Sequence, residues 1–264
     1  MSERTKIEWT DATWNPVTGC TKVSAGCDNC YAHTLANVRL AHVYLRKLPV
    51  VETAENAADP FAVRTWENRL GDPAKWKDPR MIFVNSMSDL FHADVPDAFV
   101  RKIFQVMLGV DRHIYQVLTK RPSRAVRFFK LNRDLFPEGE IPGHIWVGTS
   151  VENQDVDYRI AHLRGLSAKV RFLSCEPLLA PLDLAGKLAG IHWVIAGGES
   201  GANHRPMDPA WVKLIRDRCS EAGVSFFFKQ WGGRTPKAGG RTLDDRTWDE
   251  LPVRLPSLEL ASIG

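Results

Sequence analysis

Six short apolar, β-branched or aromatic runs recur along the chain: 82-IFVN-85, 114-IYQVLT-119, 145-IWVGTS-150, 170-VRFLS-174, 191-IHWVIA-196 and 224-VSFFF-228. Their midpoints lie about 22 to 33 residues apart, which is the length of a βα unit. Most are apolar on both faces, as strands of a parallel sheet are when helices cover them. The segments between them read as helices. In 97-DAFVRKIFQVMLGV-110 apolar residues return at three and four spacing, and 208-DPAWVKLIRDRCSEAG-223 opens on Asp-Pro and closes on Gly, the signals of a helix start and stop. Alternating β and α elements imply a parallel α/β sheet, either open and doubly wound or closed toward a barrel.

A first strand is expected to end near 13-TWNPV-17, followed by a cysteine-bearing loop and a helix over 30-CYAHTLANVRLAHVYLRKL-48. The stretch from Pro49 to Pro79 also contains Pro60 and Pro73. It is too long for a plain connection and reads as an insertion beside the site. From Gly232 the chain turns rich in Gly, Arg and Asp, and 241-RTLDDRTW-248 reads as a hairpin. The expected organisation is a β/α domain over 1–231, with the insertion at 49–79, and a C-terminal appendage over 232–264.

The 264 residues suffice for a sizeable core, and 44% hydrophobic with 25% charged residues is an ordinary globular balance. A net charge of +4 permits a polyanionic partner without requiring one. The opening MSERTKIEW lacks the apolar stretch of a signal peptide, and no run approaches the ~18 apolar residues of a membrane span. A cytoplasmic protein without a membrane partner is the expectation. In that compartment five cysteines, an odd number, are not a disulfide framework.

The residues that end each run form the most informative pattern. They are TGC from Thr18, NSMSD from Asn85, TKR from Thr119, TSVEN from Thr149, SCEP from Ser174, GGESG from Gly197 and KQW from Lys229. In a parallel sheet all seven sit at the C-terminal end, where α/β folds place their sites. Ionisable residues abutting apolar cores, such as Lys120, Glu176, Glu199 and Lys229, suit a charged small molecule better than plain turns do.

Cys20, Cys27 and Cys30 have the form C-x6-C-x2-C. Zinc needs a fourth ligand, for which His33 and His42 are the near candidates. A disulfide between two of the three is a further alternative. Three thiolates also suit three irons of a [4Fe-4S] cluster, with the fourth iron open. The loop stands between a strand and a helix at the same rim as every other polar cluster, where a catalytic cofactor belongs. Cys219 fits the buried face of a helix, and Cys175 sits beside Glu176 at the rim, where a hydrogen-donor role is the alternative to packing. His92, His113, His144, His162 and His204 show no ligand spacing and read as surface or turn residues. Trp146 and Trp193 read as core.

A cysteine loop after the first strand, ending in C-x2-C, resembles the radical S-adenosylmethionine superfamily, whose common pattern is C-x3-C-x2-C. Here the first gap is three residues longer, and Asn29 stands where an aromatic usually precedes the last cysteine. Over nearly the whole chain the strings IEWTDATWNPVTGC, GCDNCYA, FVNSMSDLFH, LTKRP, VGTSVEN, LSCEPLL, AGGESG and FFKQWG resemble an uncharacterised phage-associated three-cysteine family assigned to that superfamily. The resemblance implies a partial (β/α)6-7 TIM-like barrel of parallel strands with surrounding helices. It also implies an enzyme that binds a [4Fe-4S] cluster through Cys20, Cys27 and Cys30. S-adenosylmethionine chelates the open iron, and one-electron cleavage yields a 5'-deoxyadenosyl radical that takes hydrogen from a substrate.

By position in such a barrel, Ser86, Ser88 and Asp89 are candidates for the methionine ammonium, and Ser150, Glu152 and Asn153 for the ribose. Glu176 faces cofactor or substrate. Asn85, Lys120, Arg121, Glu199, Lys229 and Gln230 are the candidate catalytic or substrate residues. The literal Gly197-Gly198-Glu199 follows a late strand, so Glu199 is expected to face substrate rather than the cofactor amine. A reducing partner such as flavodoxin or ferredoxin is implied, with a further protein partner left open. The substrate is unidentified, and modification or repair of nucleic acid or a nucleotide is the class considered. Two other readings stand beside this one: a zinc-stabilised nucleic-acid-binding module, and a metal-free hydrolase using Glu176 and Glu199 as an acid/base pair.

Overall fold

The computed structural model of the protein describes residues 5–252. The strands are β1 (Ala12–Trp14), β2 (Val17–Thr18), β3 (Arg64–Thr65), β4 (Met81–Val84), β5 (Ile114–Thr119), β6 (Ile145–Ser150), β7 (Arg171–Cys175), β8 (Trp193–Gly197) and β9 (Ser225–Gln230). The helices are α1 (Tyr31–Val38), α2 (Ala41–Tyr44), α3 (Ala54–Ala58), α4 (Asp72–Lys75), α5 (Asp97–Gly109), α6 (Pro122–Leu131), α7 (Tyr158–Arg164) and α8 (Pro209–Ala222). Seven strands form one sheet in the order β1-β4-β5-β6-β7-β8-β9, every pair parallel. The sheet curls into a half-barrel with helices around it, as the sequence implied.

Successive residues of each strand enter different cores, because side chains alternate across a pleated sheet. Ile82, Val84, Tyr115, Val117, Leu173, Val194, Phe226 and Phe228 join the core shared with α5 and α8. Phe83, Trp146, Phe172, Trp193, Ile195 and Phe227 form a second, inner cluster. Trp9 completes that cluster from the segment before β1, its ring 4.8 Å from Phe83 and 6.2 Å from Trp193. Gln116, buried on the same face, fixes it by donating to the Trp9 carbonyl at 3.0 Å. Apart from Gln116, the lower part of the half-barrel is filled by these apolar rings, and the site's polar side chains gather at the strand tips. Trp146 and Trp193 are core, as expected.

Helix α8 is built as its sequence suggests. Asp208 caps it by accepting from the Ala210 N–H at 2.8 Å, Pro209 opens it, and Gly223 closes it at φ +65°. The helix expected over 30–48 is broken instead. The backbone leaves helical geometry at Leu40, whose N–H returns to the Leu35 carbonyl at 3.0 Å. The break lets Ala32 and Ala36 of α1 and Tyr44 of α2 share one cluster with Phe61 and Met87.

The 49–79 stretch holds α3, β3 and α4, and β3 pairs antiparallel with β2. Buried Arg64 anchors it through the carbonyls of Lys47, Ala62 and Asn56. Its Phe61 carbonyl accepts from the Cys20 N–H at 3.0 Å, so the stretch supports the cysteine loop directly. Beyond Gly232, Asp244 and Asp245 turn the chain with φ of 50° and 59°, and Leu243 pairs with Arg246. The returning segment bonds to the free edge of β9 through Phe228 N–H and the Trp248 carbonyl at 2.9 Å. Of the expected appendage, residues 253–264 lie outside the described residues. Among the described residues no helix is long and apolar enough to cross a membrane.

Candidate functional site

The cysteine loop leaves β2 at Gly19, where φ is +85° and an added Cβ would stand 2.1 Å from the Ala62 carbonyl oxygen. Only glycine fits that crossing. Gly19 N–H donates to Met87 O at 3.0 Å, and the Ser88 hydroxyl donates to Gly19 O at 2.6 Å. The tip of β4 therefore holds the start of the loop. A single turn follows, with Cys27 N–H on Ser24 O at 2.9 Å and Asp28 N–H on Ala25 O at 3.2 Å, and Cys30 caps α1. The thiols of Cys20, Cys27 and Cys30 are free and half-buried. Of the neighbouring histidines, His33 packs edge-on against Phe61 at 5.3 Å. Among the described residues no three His, Cys, Asp or Glu side chains converge on a single ion position.

Two buried carboxylates grip this loop. Glu152, after β6, accepts from the Ser24 hydroxyl and, at 3.3 Å, from the Gly26 N–H. Its other oxygen meets Arg159 Nη1 at 3.0 Å and Lys120 Nζ at 3.6 Å. Burial pushes the carboxyl pKa up, but Lys120, Ser24 and Arg159 together hold it below the ordinary value. Gly26 has no Cβ because one would lie 2.9 Å from Glu152 Oε1.

Glu199, after β8, accepts from Asn29 Nδ2 at 2.9 Å, from the Arg205 N–H at 2.8 Å and from its guanidinium at 2.9 and 2.6 Å. These bonds outweigh burial and keep its pKa low. Glu152 and Glu199, expected at the ribose and the substrate, are both bonded to the loop.

Arg121 binds the loop from β5. Its Nη1 lies 3.5 Å from Cys20 Sγ and 3.0 Å from Asp89, while Nη2 reaches the carbonyl and hydroxyl of Thr21 at 3.0 and 3.1 Å. Asp89 also accepts from Thr119 Oγ1 at 2.7 Å and the Phe91 and Lys120 N–H groups at 3.0 Å. Burial and then Asp89 push the Cys20 thiol up to about 11, against the opposing pull of Arg121.

After β4, Ser86 exchanges hydrogen bonds with Asn15, and its carbonyl accepts from the Tyr31 hydroxyl at 2.5 Å. Burial of that hydroxyl, then the nearby Cys30 and Glu176, raise the tyrosine pKa. Asn85, at φ 60°, accepts from the Val17 N–H at 3.2 Å. Ser150 is buried at the end of β6. Across β8, Lys229 Nζ lies 2.8 Å from Glu176 Oε1, and Ser174 donates to Oε2 at 3.1 Å. A Cβ on Gly197 would stand 3.2 Å from that carboxylate and 3.4 Å from Lys229 Cβ, so the glycine makes room for the pair. Gln230 donates to Ser200 Oγ at 2.8 Å. Three site atoms are shielded from solvent without a partner among the described residues: Asn85 Nδ2, Asn153 Oδ1 and Gln230 Oε1.

Cys175 is fully buried and faces the helix-side core beside Leu173, two residues earlier on β7, which favours packing over a hydrogen-donor role; burial and neighbouring Cys219 push its thiol well up. Other expectations change. His92 and His113 are buried rather than superficial. His92 bonds Thr21 at 2.7 Å through Nε2 and accepts from the Asp94 N–H through Nδ1, so the second nitrogen of the ring holds the loop as well. Asn15, Ser24, Asn29, Tyr31, Arg159 and Arg205 were not among the expected site residues. Asn29 and Tyr31 flank Cys30 and were visible beside it; Arg159 and Arg205 carry no local signal, because only the fold brings them to the loop.

No curated protein matches the chain. Among solved structures it is similar to spore photoproduct lyase complexed with dinucleoside spore photoproduct, with 14% identity, a TM-score of 0.47, and coverage of 79% of this chain and 61% of that one. A double mutant of that lyase with bound AdoMet and dinucleoside spore photoproduct gives 16% identity, a TM-score of 0.42, and coverage of 78% and 59%. The chain thus spans about 61% of the length of the first of these. In sequence, residues 4–252 match the family described as "Protein of unknown function (DUF5131)", and the chain belongs to that family.

Proposed function

We propose that the protein is a radical S-adenosylmethionine enzyme whose [4Fe-4S] cluster is held by Cys20, Cys27 and Cys30. The observation that carries this reading is a loop of three free thiols at the strand-tip rim, ordered through its backbone and polar side chains by Glu152 and Arg205. Thiolates that each hold a different iron need not converge on one point. Tetrahedral zinc needs four donors within about 2.0–2.3 Å of a single centre, and the described residues offer no such group of three.

The donor set also fits the second cofactor. The unpartnered Asn85 Nδ2 is a donor suited to a carboxylate, while Asn153 Oδ1 and the Ser150 hydroxyl suit ribose hydroxyls. Glu176 and Lys229 offer a paired acceptor and cation to the cofactor or the substrate. Ser86, Ser88 and Asp89 act by shaping the β4 tip, to judge from the bonds they already make. Together the two groups supply one-electron cleavage of the cofactor and hydrogen-atom abstraction, and the chain supplies orientation and exclusion of side reactions.

Nucleic acid or a nucleotide is the substrate class we infer, with Lys120, Lys229 and Gln230 at the rim toward it. The reaction needs a one-electron donor such as flavodoxin or ferredoxin, and three free thiols suit the reducing cytoplasm. Anaerobic reconstitution with iron and sulfide tests the assignment. About four irons per chain and broad visible absorbance are expected; tight zinc without iron uptake supports a zinc-stabilised nucleic-acid-binding module instead.

A further inference from the structure

The long spacer between Cys20 and Cys27 supplies attachment points. Ser24 and Gly26 bond to Glu152, and Ala25 O accepts from Arg205 Nη2 at 2.9 Å. Within the C-x2-C turn, Asn29 Nδ2 donates to Glu199 at 2.9 Å and to Asn203 O at 2.8 Å. Arg205 closes the arrangement. It holds both oxygens of Glu199 and lies 3.5 Å from Asp28 Oδ2, so one guanidinium touches Ala25 and Asp28, on either side of Cys27 in the chain. Glu199 is buried, with a side-chain exposure of 5%, whereas Arg205 is about one-third exposed at 35%. None of these bonds uses a thiol.

We propose that Arg205 is a positioning residue: through Glu199, Ala25 and Asp28 it sets where the Cys27 and Cys30 thiols stand, before any metal binds. This rests on the cluster reading for its consequence, though the ordering of the loop does not. A charged donor fixed to a buried carboxylate is a strong tie, and its loss frees Ala25 O and Asp28, which Glu152 does not bond. Outer partners that orient ligands tune the group those ligands hold. The positive charge of Arg205 beside the loop adds a direct electrostatic contribution, so both the geometry and the potential of the bound cluster depend on it.

The test compares the full chain with Arg205→Ala, Arg205→Lys and Glu199→Gln. In metal-free protein, amide hydrogen exchange at Cys27 and Asp28 is expected to rise at least tenfold in Arg205→Ala, with β5 and β6 unchanged. After reconstitution, the electron paramagnetic resonance spectrum and midpoint potential of the reduced cluster shift in Arg205→Ala, and Arg205→Lys restores most of the parent signature. Glu199→Gln, which preserves shape while weakening the Arg205 tie, shows the same shifts to a lesser degree and covers the case in which Arg205→Ala folds poorly. Parent-like spectra and potentials in Arg205→Ala and Glu199→Gln overturn the proposal. A parent protein that takes up no iron fails the cluster reading instead, and the exchange data then still decide whether Arg205 orders the loop.

Discussion

Arg159 Nη1 donates to Glu152 Oε2 at 3.0 Å, with side-chain exposures of 2% and 0%. Helix α7 thereby holds the carboxylate that in turn holds Ser24 and Gly26. Removing Arg159 leaves the buried carboxylate with Lys120, 3.6 Å away, as its remaining cation. Arg159→Met is expected to cost about 3 kcal/mol of stability, the low end of the range for breaking a buried pair, read as a lower urea midpoint. A loss under 1 kcal/mol contradicts the ion pair's role.

Stability should fall with pH in two windows. Burial, and next Arg121, lower the His92 pKa below 6.5. The unfolded chain then binds a proton that the folded one refuses, so stability present above pH 6.5 is lost as pH falls through the folded value. The Glu152 pKa is depressed below 4.5, so its contribution is present above that value and lost as pH falls through the folded one. Urea midpoints from pH 7 to pH 3 trace both steps, and His92→Gln reduces the upper one, to which His113 and His192, also lowered by burial, contribute the rest. A parent midpoint that is flat from pH 7 to pH 5 refutes the His92 assignment.

Gly198 and Gly232 let two backbones cross. A Cβ on Gly198 would lie 1.9 Å from the Trp231 carbonyl oxygen, and one on Gly232 would lie 2.1 Å from Glu199 O. Gly198→Ala is expected to cost at least about 1–3 kcal/mol, the range for overpacking. Gly71→Ala, where nothing lies within 4 Å of an added Cβ, serves as the control. Thermal melts of the two variants decide it, and equal midpoints count against the crossing.

Much of the architecture was legible because apolar runs and helical spacing report local burial. The runs around Ile114, Ile145 and Ala196 became β5, β6 and β8 within two residues of the expected ends. The rim was legible for the same reason, since parallel strands bring TSVEN, SCEP and GGESG to one end. What each side chain does there was not. Glu152 and Glu199 look like free carboxylates in sequence, and only distant Arg159 and Arg205 show them to be engaged. The break at Leu40 carries no sequence signal, and it accompanies the packing of Tyr44 against Phe61 and Met87, which helical periodicity does not report.

Lys229 and Glu176 separate cluster binding from cofactor binding. Their 2.8 Å pair stands across β8. Lys229→Met is expected to keep parent-like iron content while cofactor cleavage falls at least tenfold, about 1.4 kcal/mol in the barrier. Iron assay and 5'-deoxyadenosine quantification on the same sample check it, and unchanged cleavage removes Lys229 from the site.

The most direct measurement is 5'-deoxyadenosine formed from S-adenosylmethionine by anaerobically reconstituted, reduced protein. It compares the parent with Cys20→Ala/Cys27→Ala/Cys30→Ala and with Cys175→Ala/Cys219→Ala. The prediction is cleavage in the parent and in the variant lacking the two core cysteines, with none above background in the triple variant. Cleavage that survives loss of Cys20, Cys27 and Cys30, or a fully iron-loaded parent that produces none, contradicts it.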